Sequence, residues 1–406
     1  MSLRERISPF VAGRIVSPRR LARARARAEA VRRKSGAPHR VTYFHQPDDP
    51  YAVLAAQVLA AFVARFDVAL DVMLVPPPDD RDAPERAALE AYARRDAAAI
   101  APYYGLALAD PARAPDPVLV TRANAVSLAA IRAGRAPELL PQIDAALWTG
   151  DAGGLDGIAA VAGSAGADDV AAAHQEGRRA RAALGHYLGG VFCYDGEQYW
   201  GIDRLHYLEE RLHALGAYRG PRPFAPKTAP PAMCEDDVPP GEGPDIDFFL
   251  SLRSPYTAVG ARRLFDLADR YGCRVNLRFV LPMMMRGIPA SREKQMYILR
   301  DAKREAERWG VAFGRIADPF GHPSERGLSI IPHAVRQGRG RDYVLSFLAG
   351  CWAEAIPAGS EAGLRKIVTR AGLDWREARR CLSDNAWRIE AERNREALFA
   401  HGLWGV

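Results

Sequence analysis

The 406-residue sequence predicts an α/β protein built from two related halves in tandem. Three observations carry this. The runs RVTYFHQPDDPYAVLAAQVLAAFVARFDVALDVMLV (40–75) and DIDFFLSLRSPYTAVGARRLFDLADRYGCRVNLRFVL (245–281) share one pattern of apolar strand, Pro-containing turn, helical spacing and second strand. Their turns lie 205 positions apart, from 254 minus 49. Trp148 in ALWTGD and Trp352 in GCWAEA keep nearly that spacing, 352 minus 148 being 204.

In the first half the predicted strands are 41–45 and 68–75. The helix between them buries Val53, Leu54, Ala56, Val58 and Phe62. In the second half the strands are 246–250 and 274–280, and the helix buries Val259, Leu264, Phe265 and Leu267. Helical spacing between two strands is a βαβ unit, whose strands run parallel. Each half continues into a long helical region. Its plainest piece is SREKQMYILRDAKREAERWG, with Ser291 as N-cap and Gly310 as terminator. The first half then closes with a strand at 191–194, an Asp195-Gly196 turn, a strand at 198–201 and a helix over 203–215. AGADDVAAAHQEGRRARAALGHYLGG and AGLDWREARRCLSDNAWRIEAERNREALFAHGLWG also resemble one another. The resulting divisions are a basic arm (1–39), a first domain (40–220), a Pro-rich acidic linker (221–244) and a second domain (245–406).

The net charge of +7 raises the question of nucleic acid. Much of the basic excess sits in RRLARARARAEAVRRK, which reads as a solvated Ala/Arg-rich helix before it reads as a nucleic-acid or membrane tail. The Arg-rich start also resembles a transit peptide, but Ala and Arg are abundant throughout. No membrane-length apolar run and no secretory core stand in the sequence, so the expected compartment is the cytoplasm. Cys193, Cys234, Cys273, Cys351 and Cys381 form no C-x-x-C pair and no zinc-like cluster, so each reads as a structural thiol.

The order of elements is that of a thioredoxin-like domain of the DsbA type. Within that fold the residues resemble the 2-hydroxychromene-2-carboxylate isomerase and kappa-class glutathione transferase group. Ser254-Pro255-Tyr256-Thr257 after an aromatic strand is one signature. YDGEQYWGIDRLHYLEE (194–210), similar to the family's closing D-G-x-x-x-W-G-x-D-R-L segment, is the second. LSDNAWRIEAERNREALFAHGLWGV, which resembles the helix before the family's Gly-Val-Pro turn, is the third. The resemblance implies two thioredoxin-like copies, the second ending before its hairpin and last helix and so truncated at the C-terminus. It implies glutathione as co-substrate and a small electrophilic, aromatic substrate. Relatives that dimerise suggest a pseudo-dimer within the chain or a homodimer.

The candidate site residues follow. Asp49 and Ser254 are good N-cap residues, and Pro50 and Pro255 suit the first helical position, so capping alone accounts for both turns. The functional reading adds a ligand at Ser254. A helix N-terminus favours an anion such as a thiolate, and a serine hydroxyl can donate to its sulfur. Disulfide exchange needs two cysteines where Ser254 and Thr257 stand, so that reaction is excluded there. Asp49 would repel a thiolate, which makes the first copy a degenerate scaffold. Gly189-Gly190 replaces the family's Val-cis-Pro in that copy, so the backbone edge facing the thiol is expected to be lost. By resemblance Ser254 is the catalytic residue. Ser254, Pro255, Tyr256, Lys294 and Asp203 would hold glutathione, Asp203 at its γ-glutamyl end. Arg253 could steer an anionic substrate, and Arg300 and Lys303 could join Lys294 at the glutathione carboxylates or form a solvated stripe. Met283, Met284 and Met285 read as core or as an adaptable pocket wall. His322 and His333 read as loop or core histidines. The competing functions are a non-catalytic scaffold, a DsbA-type disulfide oxidoreductase and a nucleic-acid binder acting through the basic arm.

Overall fold

The strands form where β-branched and aromatic residues cluster, and they pair in the predicted sense. The structure, a computed structural model, describes residues 13–109, 112–231 and 243–406. It divides into one unit of Ala24–Cys234 and another of Met1–Arg23 with Glu235–Val406.

In the unit Ala24–Cys234, β1 (His39–His45) runs parallel to β2 (Val68–Leu74). β3 (Val191–Tyr194) lies antiparallel against the other side of β1, and β4 (Glu197–Trp200) antiparallel against β3. The sheet order is therefore β2-β1-β3-β4, a mixed sheet. The hairpin turn is the expected Asp195-Gly196, both at positive φ (46° and 77°), the geometry that favours Asn, Asp and Gly. Five α-helices fill the region between β2 and β3 among the described residues. Tyr43, Phe44, Phe192 and Tyr199 are fully buried around the sheet.

The helix predicted after Asp49 is two helices, Pro50–Ala56 and Leu59–Arg65. At the break Gln57 turns its side-chain amide to the carbonyls of Val53 (3.2 Å) and Ala107 (2.8 Å) and accepts the Ala107 N–H (3.2 Å). Val58, expected in the core, is only partly buried there, and Leu267, expected to be buried by the second half's helix, is exposed. The described part of the basic arm is helical and makes ion pairs. The helix Pro18–Ser35 carries Arg25, which forks onto Glu197 at 2.7 Å through each nitrogen. Buried Glu29 takes the guanidinium groups of Arg32 and Arg33, which hold its carboxyl down at about 2. Residues 222–231 of the expected linker also pack. Phe224 stacks on His213 at 4.0 Å, and Thr228 donates its N–H and hydroxyl to buried Glu209. The rest of that linker, 232–242, and arm residues 1–12 lie outside the described residues.

In the other unit β5 (Ile246–Leu250) runs parallel to β6 (Val275–Phe279). Its register repeats that of β1 with β2: His39 faces Val68 and Ile246 faces Val275, each pair 29 apart (68 minus 39, 275 minus 246). The helices Pro255–Arg270, His322–Arg336 and Gly340–Trp352 close the core over Leu250, Phe265, Leu328 and Phe347. Ser291 caps Arg292–Arg308 as expected, its Oγ accepting the Lys294 N–H at 3.2 Å, and Gly310 follows at φ 64°. Val16, from the arm, is buried in this core. Phe248 and Phe249 are half-buried.

Candidate functional site

The site begins with a turn that the chain must make between β5 and its helix. Ser254 sits in extended backbone (φ −80°, ψ 119°), and its Oγ accepts the Thr257 N–H at 3.2 Å. Pro255 occupies the next position, where its missing N–H costs nothing. The turn is held from behind. Trp352 Nε1 donates to the Leu252 carbonyl at 3.2 Å, and the Ser254 N–H to the Ser251 carbonyl at 3.0 Å. Tyr256 donates its hydroxyl to Asp301 Oδ2 at 2.9 Å, and Asp301 is 2% exposed.

The other unit repeats these contacts. Asp49 Oδ1 accepts the Tyr51 N–H at 2.9 Å, Trp148 Nε1 donates to the Pro47 carbonyl at 2.9 Å, and Tyr51 donates to Asp96 Oδ2 at 2.8 Å. Tyr51 and Tyr256 are 205 apart (256 minus 51), as are Asp96 and Asp301 (301 minus 96).

What lies in front of the two turns differs. Ser254 opens onto a cavity of about 360 Å³, within the range of small-ligand pockets. Pro255, Tyr256 and Lys294 line it with Ser254. Its wall is mainly apolar, with Leu281, Met283, Met284, Leu299, Ile316 and Trp352. At Asp49 the backbone edge is present, contrary to the expectation for Gly189-Gly190. A Cβ on Gly189 would fall 2.8 Å from Asp49 Oδ2, and one on Gly190 3.0 Å from the Ala52 nitrogen. Glycine lets that edge close directly on the helix start. Burial pushes the Asp49 carboxyl up to about 6, against the pull of the Tyr51 and Ala52 amides.

The remaining candidates separate. Asp203 belongs to the unit Ala24–Cys234, in the first turn of the helix Ile202–Ala214, where its carboxylate takes Arg204 at 2.6 Å. It does not line the cavity. Arg253 lines the cavity but is committed to Asp318, Nε to Oδ1 at 3.0 Å and Nη2 to Oδ2 at 3.1 Å, so it is not the open cation expected. Lys303 reaches the Phe313 carbonyl (3.0 Å) and Glu307 (3.3 Å), and neither it nor exposed Arg300 lines the cavity. Met283 and Met284 do, from the short 3-10 turn Met283–Arg286, while Met285 does not. His322 is exposed at the start of its helix, and buried His333 lies 3.9 Å from Glu377, both away from the cavity lining.

Four cysteines are free thiols, and Cys234 lies outside the described residues. Burial pushes Cys193 and Cys351 up to about 12, which makes them poor nucleophiles. Among the described residues no cluster could hold a metal ion, and no helix is long and apolar enough to cross a membrane. Sequence reasoning missed Asp318, Ile15 and Ile316 in the cavity wall. The one available signal, for Asp318 alone, was the Asp-Pro pair in RIADPFG.

Residues 245–406 match the family model described as DSBA-like thioredoxin domain. No curated protein matches the chain. Solved structures similar to it include the following three. A 2-hydroxychromene-2-carboxylate isomerase is 21% identical, over 40% of this chain and 82% of that one, with a TM-score of 0.34. A putative protein disulfide isomerase from Nitrosomonas europaea is 12% identical, over 40% and 80%, with a TM-score of 0.33. A probable DsbA oxidoreductase from Streptomyces coelicolor is 21% identical, over 40% and 77%, with a TM-score of 0.32.

Proposed function

We propose that residues 245–406, a DsbA-like thioredoxin domain, carry a glutathione-dependent isomerase or transferase site acting on a small electrophile. The observation that supports this reading is a serine N-cap opening onto an apolar cavity, at the position where the disulfide-exchanging branch has its first cysteine. Ser254 Oγ accepts the Thr257 N–H, which leaves its own proton to donate into the cavity. The helix start adds partial positive charge, so the pair favours a sulfur anion over a thiol. Lys294 lines the cavity and is the residue we assign to a ligand carboxylate. When bound, glutathione supplies a nucleophilic thiol that can add to a conjugated carbon and leave again. The apolar wall keeps water away and receives the electrophile. Asp203 has no part in this cavity.

The unit Ala24–Cys234 is read here as a degenerate copy of the same domain. The repeated register, the paired Trp and Tyr–Asp contacts, and the shared cap position support that reading. The carboxylate at Asp49 and the glycine backbone against it favour a scaffold role for that copy.

Calorimetric titration of the full chain with reduced glutathione tests the enzyme reading. Heat that is lost in Ser254→Ala is expected. Absence of heat with the folded wild type would leave a scaffold only. An insulin-reduction assay is expected to be blank, because Ser254 and Thr257 cannot form a disulfide.

A further inference from the structure

We propose that Asp318 is a specificity-determining residue, a resident carboxylate that occupies the Arg253 end of the cavity and selects ligands uncharged at that end. This rests on the reading that the cavity binds a small molecule, and it names the ligand class. Arg253 stands next to Ser254 in the chain, and both line the cavity. Its Nε and Nη2 fork onto the two oxygens of Asp318 at 3.0 and 3.1 Å. That is the two-pronged geometry a ligand carboxylate would take on the same arginine. The rest of the guanidinium is also covered. Nη1 lies 3.1 Å from Met284 Sδ, and the Phe320 ring centroid lies 4.7 Å away.

Asp318 is held in place by the backbone on both sides of it. The Ala317 N–H donates to the Cys351 carbonyl at 2.7 Å, and the Ser324 hydroxyl donates to the Pro319 carbonyl at 2.5 Å. Earlier in the same segment Lys303 holds the Phe313 carbonyl, and the Gly314 N–H bonds the Trp352 carbonyl at 2.9 Å. A carboxylate fixed this way loses little freedom on pairing, unlike the usual surface pair. The side chains of Arg253 and Asp318 are 19% and 37% exposed, so an incoming anion can reach them and must compete. A neutral group meets no such competitor. The Arg253–Asp318 end of the cavity therefore works against a ligand carboxylate and accepts a neutral group there.

The test uses the full chain and two probes with one ring system, 1-naphthoate and neutral 1-naphthamide, with binding read from tryptophan fluorescence and calorimetry. In Asp318→Asn, naphthoate binding is expected to tighten about tenfold, the scale of one charge-assisted interaction, while naphthamide stays within about twofold. Adding Arg253→Gln to that variant is expected to remove the gain. Asp318→Ser serves as the second variant if Asn impairs folding, which circular dichroism reports. Naphthamide binding with no change in naphthoate affinity overturns the role of Asp318 and leaves the cavity as a ligand site. Equal gains for both probes overturn it as well. Failure of both probes to bind the folded wild type overturns the ligand-cavity reading, and this inference with it.

Discussion

Replacing Ser254 by Ala and by Asp separates what the residue does for the helix from what it does for a thiol. Alanine removes the acceptor for the Thr257 N–H, now 3.2 Å from Oγ, and such a cap is worth about 1 kcal/mol. Aspartate keeps an acceptor at the same place, and its charge adds about 0.3–1 kcal/mol at a helix start. Asp49 already does this in the other unit, accepting the Tyr51 N–H at 2.9 Å. A thiolate at the helix start would sit roughly 4 Å from that carboxylate, where repulsion at an effective dielectric near 20 is about 4 kcal/mol. That is about a thousandfold in affinity. Thermal unfolding and glutathione calorimetry on one preparation are the assays. Ser254→Ala is expected to lose about 1 kcal/mol of stability together with its binding heat. Ser254→Asp is expected to keep the cap hydrogen bond and bind no glutathione. A Ser254→Asp variant that binds as tightly as the wild type would refute the thiolate reasoning, because no polarised serine is then needed.

Three further outcomes are expected. Burial raises the Asp49 carboxyl to about 6 from an ordinary 3.8, so the folded state binds its proton more tightly than the unfolded chain. The stability this group contributes is present below about pH 4 and lost as pH rises through about 6, up to about 3 kcal/mol. Asp49→Asn, which keeps a cap, should be more stable than the wild type at pH 8 and lose that advantage below pH 4 in denaturant titrations. Gly189→Ala would place a methyl 2.8 Å from both Asp49 Oδ2 and Gln46 Cβ, and an overpacking loss of about 1–3 kcal/mol is expected in the same assay. Trp352→Phe strands the Leu252 carbonyl and should cost about 1–3 kcal/mol while weakening ligand binding at the turn. Trp148→Phe, acting on the Pro47 carbonyl, should cost a similar amount and leave binding alone.

Much of the fold was legible because its signals are local. Apolar strands 205 residues apart, cap residues at 49, 254 and 291, and the Asp195-Gly196 turn each answer a need of the backbone within a few positions. The site was legible only as far as Ser254 and its neighbours Pro255 and Tyr256, which share one turn. The two readings of Lys303, ligand contact or solvated stripe, could not be separated from the sequence, because periodicity carries no information about a partner such as the Phe313 carbonyl. The break at Gln57 escaped for the same reason, since the Ala107 backbone that holds it is 50 residues away.

The sequence by itself determined two strand–helix–strand units, their caps and the absence of a cysteine pair at the helix start, because hydrogen-bonding needs at chain turns are met by adjacent residues. Only the tertiary structure decided that one turn opens onto a cavity while the other is closed by glycine backbone, and that Arg253 is already paired with a carboxylate 65 residues on. Which charges remain available to a ligand depends on where distant segments come to rest, and that is settled by packing.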